Sequence, residues 1–173
     1  MIIFAADAFV EHIVGGAELT TESIIKSSKM PVGKIVCRNI TPKIMQKYKD
    51  SFWVFGNFST LPVDCIVFAI ENLNYSVLEY DYKYCRYRSP GKHIEAEGEC
   101  NCHLSKSGKL VGLFLANAKA NWWMSVQQKN KQKAVFPFLN GKVLSSIFSE
   151  STLEYIQKLD TSNKNDKWII LNS

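Results

Sequence analysis

The first 28 residues join a short apolar run, a glycine pair and a helical pattern. The run Ile2–Ala6, closed by Asp7, is typical of a buried parallel strand. Residues 17–28 carry their apolar side chains on one helical face. Gly15 and Gly16 stand where strand passes to helix, and glycine permits a tight turn and close approach to a ligand there. Because amides at a helix N-terminus attract anions, the sequence predicts that this pair lines a ligand-binding cleft.

Strand and helix patterns alternate along most of the chain. Strands are predicted at residues 2–7, 34–38, 52–58, 75–82, 122–126, 142–148 and 167–173. Helices are predicted at residues 17–28, 42–48, 62–72, 110–118 and 151–159, with a basic helix ending before Pro137. This alternation indicates an α/β fold, a Rossmann-like parallel sheet with helices on both faces. Ligands should then bind beyond the carboxyl ends of the strands.

Domain organisation follows from the same patterns. The chain has 173 residues, 46% of them hydrophobic and 21% charged, which suits one folded domain rather than a disordered chain. We expect that domain to cover residues 1–160, with a polar Cys/His-rich loop insertion at 83–108. Residues 161–173 would form a linker and the start of a second domain that is missing or truncated.

The net charge of +5 could attract nucleic acid, anionic lipid or the phosphates of a nucleotide sugar. The basic run at 127–133 has no interleaved aromatic residues, so a solvated helix face is expected there and no specific nucleic-acid binding. No apolar run approaches the roughly 20 residues of a membrane span. The N-terminus shows no secretory pattern, which predicts a cytoplasmic protein in which structural disulfides are disfavoured. Motifs for NAD, ATP or a serine hydrolase are missing from the sequence.

Five residues that can bind soft metals fall within the insertion, with the spacing Cys-x7-His-x6-Cys-x-Cys-His. They are Cys85, His93, Cys100, Cys102 and His103. Three thiolates and one imidazole would complete a tetrahedral structural zinc site. We favour His93 as the fourth ligand because His103 directly follows Cys102, although His103 stays an alternative. Free thiols, an iron–sulfur cluster and a disulfide are the other interpretations. Cys37 and Cys65 have apolar neighbours and are predicted to be inert core residues.

Several segments resemble one known family. They are Gly15-Gly16-Ala17-Glu18, Glu79-Tyr80-Asp81-Tyr82-Lys83-Tyr84-Cys85, Trp123-Met124-Ser125 and Val143-Leu144-Ser145-Ser146-Ile147-Phe148. Together they resemble the N-terminal domain of glycosyltransferases of the GT-B fold, in the GT4-like group. In such enzymes this domain mainly holds the sugar or glycan acceptor, and a second Rossmann-like domain mainly holds the nucleotide-sugar donor.

The resemblance implies that Gly15, Gly16 and Glu18 bind ligand and that a donor binds only where a second domain is present. The end of the chain resembles the linker and first strand of that domain. Where many relatives place a histidine near the end of the fourth strand, this sequence has Tyr80. Asp81 or Glu79 could act as the base instead, and His12 could contact an acceptor hydroxyl or a phosphate. The alternative function is a non-catalytic, zinc-stapled binding or scaffold domain of the same fold.

Overall fold

The computed structural model describes residues 1–145 and 147–159. In these residues six β-strands alternate with seven α-helices. The strands are β1 (Ile2–Ala6), β2 (Val32–Val36), β3 (Phe52–Phe55), β4 (Asn74–Glu79), β5 (Asn121–Trp123) and β6 (Gly141–Val143). The helices are α1 (Gly16–Ser27), α2 (Pro42–Lys47), α3 (Val63–Asn72), α4 (Pro90–Glu97), α5 (Lys106–Asn117), α6 (Val126–Val135) and α7 (Glu150–Gln157).

All six strands belong to one parallel sheet with the order β2-β1-β3-β4-β5-β6. In register, Ile2 of β1 stands opposite Val32 on one side and Phe52 on the other. The chain first moves outward from β1 to β2 and then returns past β1 to build the other four strands. The direction of winding therefore reverses between β1 and β3. In such sheets the crevice beyond the carboxyl ends at this reversal is where ligands bind.

Helices cover both faces of the sheet, so the predicted Rossmann-like α/β fold is confirmed. The larger buried cluster includes Trp53, Phe55 and Tyr75 of the sheet and packs against α2, α3 and α5. The smaller cluster lies on the opposite face and packs against α1. Side chains alternate along β1, since Ile3 and Ala5 join the larger cluster while Phe4 and Ala6 join the smaller one. Both predicted core cysteines, Cys37 and Cys65, are fully buried.

The structure shortens several predicted strands at their carboxyl ends. β3 ends at Phe55 and β4 ends at Glu79, three residues before each predicted end. β5 ends at Trp123 because the hydroxyl of Ser125 accepts a hydrogen bond from the Gln128 amide, 3.0 Å away, and begins α6. β6 ends at Val143. Residues 144, 145, 147 and 148 of the predicted strand belong to no strand, and residue 146 lies outside the described residues.

The basic helix α6 is less solvated than its composition predicts. The side chains of Gln128 and Gln132 are buried, and they connect α6 to the sheet. Gln128 donates from its side-chain amide to the carbonyl of Glu79 at 3.0 Å, while Gln132 accepts from the indole of Trp123. The lysine- and glutamine-rich sequence of α6 therefore includes two polar side chains, Gln128 and Gln132, that face the sheet rather than solvent.

Among the described residues, no helix has both the length and the apolar character needed to cross a membrane. The linker and terminal strand predicted at 161–173 lie outside the described residues and stay predictions.

We expect the buried Asn121 to stabilise the junction of α5, β5 and β6. Its side-chain amide donates to the carbonyls of Leu115 and Asn140, each at 2.9 Å. The substitution Asn121→Ala should lower the free energy of unfolding by about 2 kcal/mol, because it leaves two carbonyls without this donor. Urea denaturation measures the change. Asn117 is the matched control, since its amide also donates to a backbone carbonyl, that of Leu113, but at an exposed position.

Asn117→Ala should change the free energy of unfolding by less than about 0.5 kcal/mol. Equal denaturation midpoints for the two alanine variants would show that the Asn121 hydrogen bonds stabilise the fold no more than the exposed Asn117 hydrogen bond does.

Candidate metal centre

A short helix in the Cys/His insertion positions one candidate ligand. The hydroxyl of Ser89 caps α4, and Pro90 occupies its first position. The helix ends at Gly98, whose φ of 84° closes the last turn with a bond from its amide to the Ile94 carbonyl at 2.7 Å. α4 was not predicted, although these start and stop signals are visible in the sequence. The helix turns His93 inward, with only 4% of the residue exposed.

Four candidate ligands meet in one cluster, which we call the metal centre: Cys85, His93, Cys100 and Cys102. Their ligand atoms all lie within 4.8 Å of one another. Nδ1 of His93 is 3.5 Å from Sγ of Cys85 and 3.4 Å from Sγ of Cys102. The Sγ atoms of Cys85 and Cys100 are 3.6 Å apart. A tetrahedral zinc with ordinary bond lengths would separate two sulfurs by about 3.8 Å and a sulfur from a nitrogen by about 3.6 Å.

The metal centre is buried on its sheet side and partly open on the other. Cys85 is buried beside His93, while Cys100 and Cys102 are half-buried. Burial raises the pKa of the Cys100 thiol to about 11, and the neighbouring Cys85 thiol adds to the rise. Without a cation the Cys100 thiol keeps its proton at neutral pH, so metal binding would release that proton and form a thiolate.

A carboxylate orients the histidine of the metal centre. Nε2 of His93 lies 3.1 Å from Oε2 of Glu97, one helical turn away. Glu97 also accepts a hydrogen bond from the Tyr87 hydroxyl at 2.8 Å and pairs with Arg86. These contacts lower the pKa of Glu97, the Tyr87 bond most. Such a carboxylate fixes the ring so that its other nitrogen can bind metal, and its loss typically weakens metal affinity 10–100-fold.

The N-terminus of α5 fixes the other half of the metal centre. It packs so closely on the turn at Cys102 that a Cβ on Gly108 would stand 2.8 Å from the carbonyl carbon of Cys102. Only glycine permits this approach. His103 belongs to the same turn, but its ring lies edge-on to Phe136, with ring centroids 6.5 Å apart. The structure thus gathers His93, not His103, with the three cysteines.

The candidate bases at the end of β4, Glu79 and Asp81, already form ion pairs within the protein. Glu79 is fully buried, and its Oε1 lies 3.6 Å from Nζ of Lys83. Burial raises the pKa of Glu79 to about 7, and the Lys83 charge opposes that rise. Asp81 accepts from Nζ of Lys83 at 2.5 Å and from Nε of Arg88 at 2.6 Å. Arg88 also donates to the side chain of Asn57, beyond the end of β3.

The glycine pair lies beyond the carboxyl end of β1, away from the metal centre. Gly15 caps α1 in an extended conformation, and a Cβ there would stand 2.6 Å from Oε2 of Glu18. Gly16 begins the helix, and a Cβ there would meet no atom within 4 Å. His12 is exposed and its Nδ1 accepts from the Phe9 amide at 3.3 Å, so it helps to order the loop.

The sequence patterns did not indicate the residues that join neighbouring strand ends. Asp7 accepts hydrogen bonds from the amides of Ser59 and Thr60, both at 2.9 Å, and thereby connects the loops after β1 and β3. Asn57 and Arg88 connect the loops after β3 and β4. The available signal was position, because Asp7 is the first residue after the observed end of β1 and Asn57 the second after the observed end of β3, at one sheet edge.

Comparison of the chain with known protein families, with curated proteins and with solved structures finds no match. The glycosyltransferase resemblance therefore stays a prediction drawn from the quoted motifs.

We expect Glu79 to make folding stability depend on pH. Its pKa is about 7 in the folded protein, above the ordinary value near 4.5 that applies to the unfolded chain. Between these values the folded state holds a proton that the unfolded state loses, so the Glu79 contribution to stability falls as pH rises. Glu79→Gln should therefore stabilise the protein by up to about 3 kcal/mol at about pH 8 and lose this advantage near the ordinary carboxyl pKa.

Denaturant titrations of both proteins across this pH range test the expectation. Glu71→Gln, an exposed substitution on α3, provides the matched control and should follow the wild type at every pH. A Glu79→Gln effect that is the same at every pH would contradict the raised pKa.

Proposed function

We propose that Cys85, His93, Cys100 and Cys102 bind one zinc ion. The observation that supports this most directly is the spacing of their ligand atoms. These atoms all lie within 4.8 Å of one another, close to the distances expected between the ligands of a tetrahedral zinc. Three soft sulfurs and one imidazole favour zinc over magnesium or calcium, which prefer oxygen. The contact of His93 with Glu97 supports the same interpretation, because it leaves Nδ1 directed at the sulfurs.

The proposed zinc is structural. Four protein ligands fill a tetrahedral coordination shell and leave no position for substrate or water. The segment between β4 and α5 is polar, and α4 contributes only His93 to the buried residues. Metal binding would supply folding free energy where apolar burial is small. Its role is to hold α4 and the Cys102 turn against the carboxyl edge of the sheet.

Protein purified without chelator or added metal should contain one zinc per chain, as a single four-ligand site requires. Cys100→Ser should lower the zinc content, since one of the four ligands is lost. Inductively coupled plasma mass spectrometry measures it. Cys65→Ser is the matched control, because Cys65 lies outside the metal centre and bonds weakly to the Ile40 carbonyl at 3.5 Å. This variant should keep its zinc.

Two results would overturn the zinc proposal. One is metal-free protein whose amides at 83–105 are protected from hydrogen exchange as well as those of the metal-loaded protein. The other is a disulfide between Cys85 and Cys100 in freshly purified protein, because that bond would consume two of the four ligands.

We further propose that the domain is the acceptor-side half of a glycosyltransferase of the GT-B type. The resemblance of the glycine-pair loop and of the β4 exit segment supports this, together with the parallel sheet that places both at its carboxyl edge. A donor nucleotide sugar would need a second Rossmann-like domain. A shared fold does not by itself establish activity, so the proposal depends on these motifs.

The scaffold alternative has its own support. None of the three candidate catalytic side chains is poised for proton transfer, since Glu79 is fully buried, Asp81 is ion-paired and His12 accepts from the Phe9 amide. A binding domain would need no such group, and it would use the same glycine-pair loop. Acceptor binding is thus common to both functions, and sugar transfer separates them.

Gly16→Leu should weaken acceptor binding without disturbing the fold. The new Cβ meets no atom of the protein within 4 Å, so the side chain would occupy the space proposed for the acceptor. Glycan-array binding of labelled protein identifies the acceptor class, and titration calorimetry should then show an affinity loss of about tenfold or more. Gly91→Leu is the matched control, because Gly91 is also near a helix N-terminus with no atom within 4 Å.

Equal glycan binding by the two leucine variants, or no glycan binding by the wild type, would contradict an acceptor site at this loop. Residues 1–173 alone should not turn over nucleotide sugars, because the resemblance assigns the donor to another domain. Turnover by these residues would refute that division.

A further inference from the structure

A cavity of about 520 Å³ lies between the loop after β3, the exit of β4 and helices α3 and α5. Its floor is apolar and is formed by Phe58, Leu61, Ile66, Leu110 and Val111. This volume is in the range of small-molecule sites, which combine an apolar lining with a few placed polar groups. The glycine pair is not among its lining residues, so the cavity is separate from the proposed acceptor cleft.

Every charged residue that lines this cavity is a cation. They are Lys83, Arg86, Arg88 and Lys106. The carboxylates that pair with three of them, on Glu79, Asp81 and Glu97, do not line the cavity. Lys106 is exposed and forms no ion pair with another described residue. Because the other three cations are ion-paired, Lys106 supplies the uncompensated positive charge at the cavity, and the partly exposed guanidinium groups of Arg86 and Arg88 add N–H donors beside it.

The N-terminus of α5 adds to this positive field. Its first two residues, Lys106 and Ser107, line the cavity. The cap residue Ser105 accepts from the Gly108 amide at 3.0 Å, which leaves the first amides of a 12-residue helix for other acceptors. Amides and dipole at a helix N-terminus favour an anion. Cys85 of the metal centre lines the same cavity as the cations and the helix end.

We propose that this cavity binds a small organic anion, with a phosphate or carboxylate group at the basic rim and an apolar or aromatic body on the floor. Neither an anionic group alone nor an apolar group alone would match both the basic and the apolar lining of the cavity. A free phosphate would leave the apolar floor exposed to water, and a neutral apolar molecule would leave Lys106 without a counter-ion. The site goes beyond acceptor binding and does not depend on it.

Titration calorimetry with naphthyl phosphate and naphthoate tests the proposal and separates the two head groups. At least one should bind about tenfold or more tightly than inorganic phosphate or naphthylmethanol, which carry only one half of the ligand chemistry. Lys106→Gln should weaken this binding several-fold. Val63→Asp should weaken it as well, because Val63 is an exposed lining residue at the first position of α3, where an acid is compatible with the helix.

Lys109→Gln is the matched control, an exposed lysine on α5 that does not line the cavity, and it should bind like the wild type. Equal binding by the Lys106 and Lys109 variants would overturn the proposal. So would an intact protein that binds neither aromatic anion more tightly than the two fragments. Zinc content measured in each variant should stay at the wild-type value, which separates failure of this site from failure of the metal centre.

Discussion

The carboxylate of Asp81 fixes the chain segment on which both proposed sites depend. It pairs with Lys83 and Arg88, and Arg88 reaches across to Asn57 at the next strand end. The candidate metal ligand Cys85 lies between these two cations in sequence, so the ion pairs of one acidic side chain hold the chain on both sides of it. Arg88 adopts the left-handed conformation, with φ of 55°, which costs about 1–2 kcal/mol for a residue with a side chain. The ion pairs offset that strain.

The metal centre and the cavity proposed to bind an anion share structural supports but would use different chemistry. Cys85 contributes its sulfur to the metal centre and also lines the cavity. α5 packs on the Cys102 turn through Gly108, and its first residues line the cavity. A displaced Cys102 turn would therefore disturb both sites. The sulfurs would hold a cation, whereas the rim around the cavity would hold an anion.

Sequence patterns predicted the fold wherever local and tertiary signals agree. β1 was placed correctly because an apolar run ends at an acid, and α2 because Thr41 and Pro42 give a cap and a first turn. β5 was predicted too long because Trp122–Val126 suits a strand, while the Ser125 cap begins a helix. The pattern therefore identified these elements better than their ends, and it missed α4.

The sequence predicted which residues form the candidate site better than it predicted how they are arranged. Cysteine spacing pointed to the three sulfurs, and the adjacency of His103 to Cys102 favoured His93. Only α4, which turns His93 inward, explains how that ring meets the sulfurs. The contact between His93 and Glu97 could not be predicted without that helix, since residues four apart meet only on a helical face. The same holds for Asp81, whose partners become neighbours only after the chain turns back at Arg88.

The unequal burial of the two sheet faces has a consequence for motion. One face is packed with aromatic side chains such as Trp53, Phe55 and Phe114, all fully buried. On the other face α1 buries only Thr20 and Thr21 completely, and the edge strand β2 buries no residue completely. Local opening requires least free energy where few apolar contacts must separate. The unit of β2 and α1, which includes the glycine-pair loop, should therefore open more often than the aromatic side of the sheet. A ligand at that loop would then contact one adaptable surface and one rigid surface.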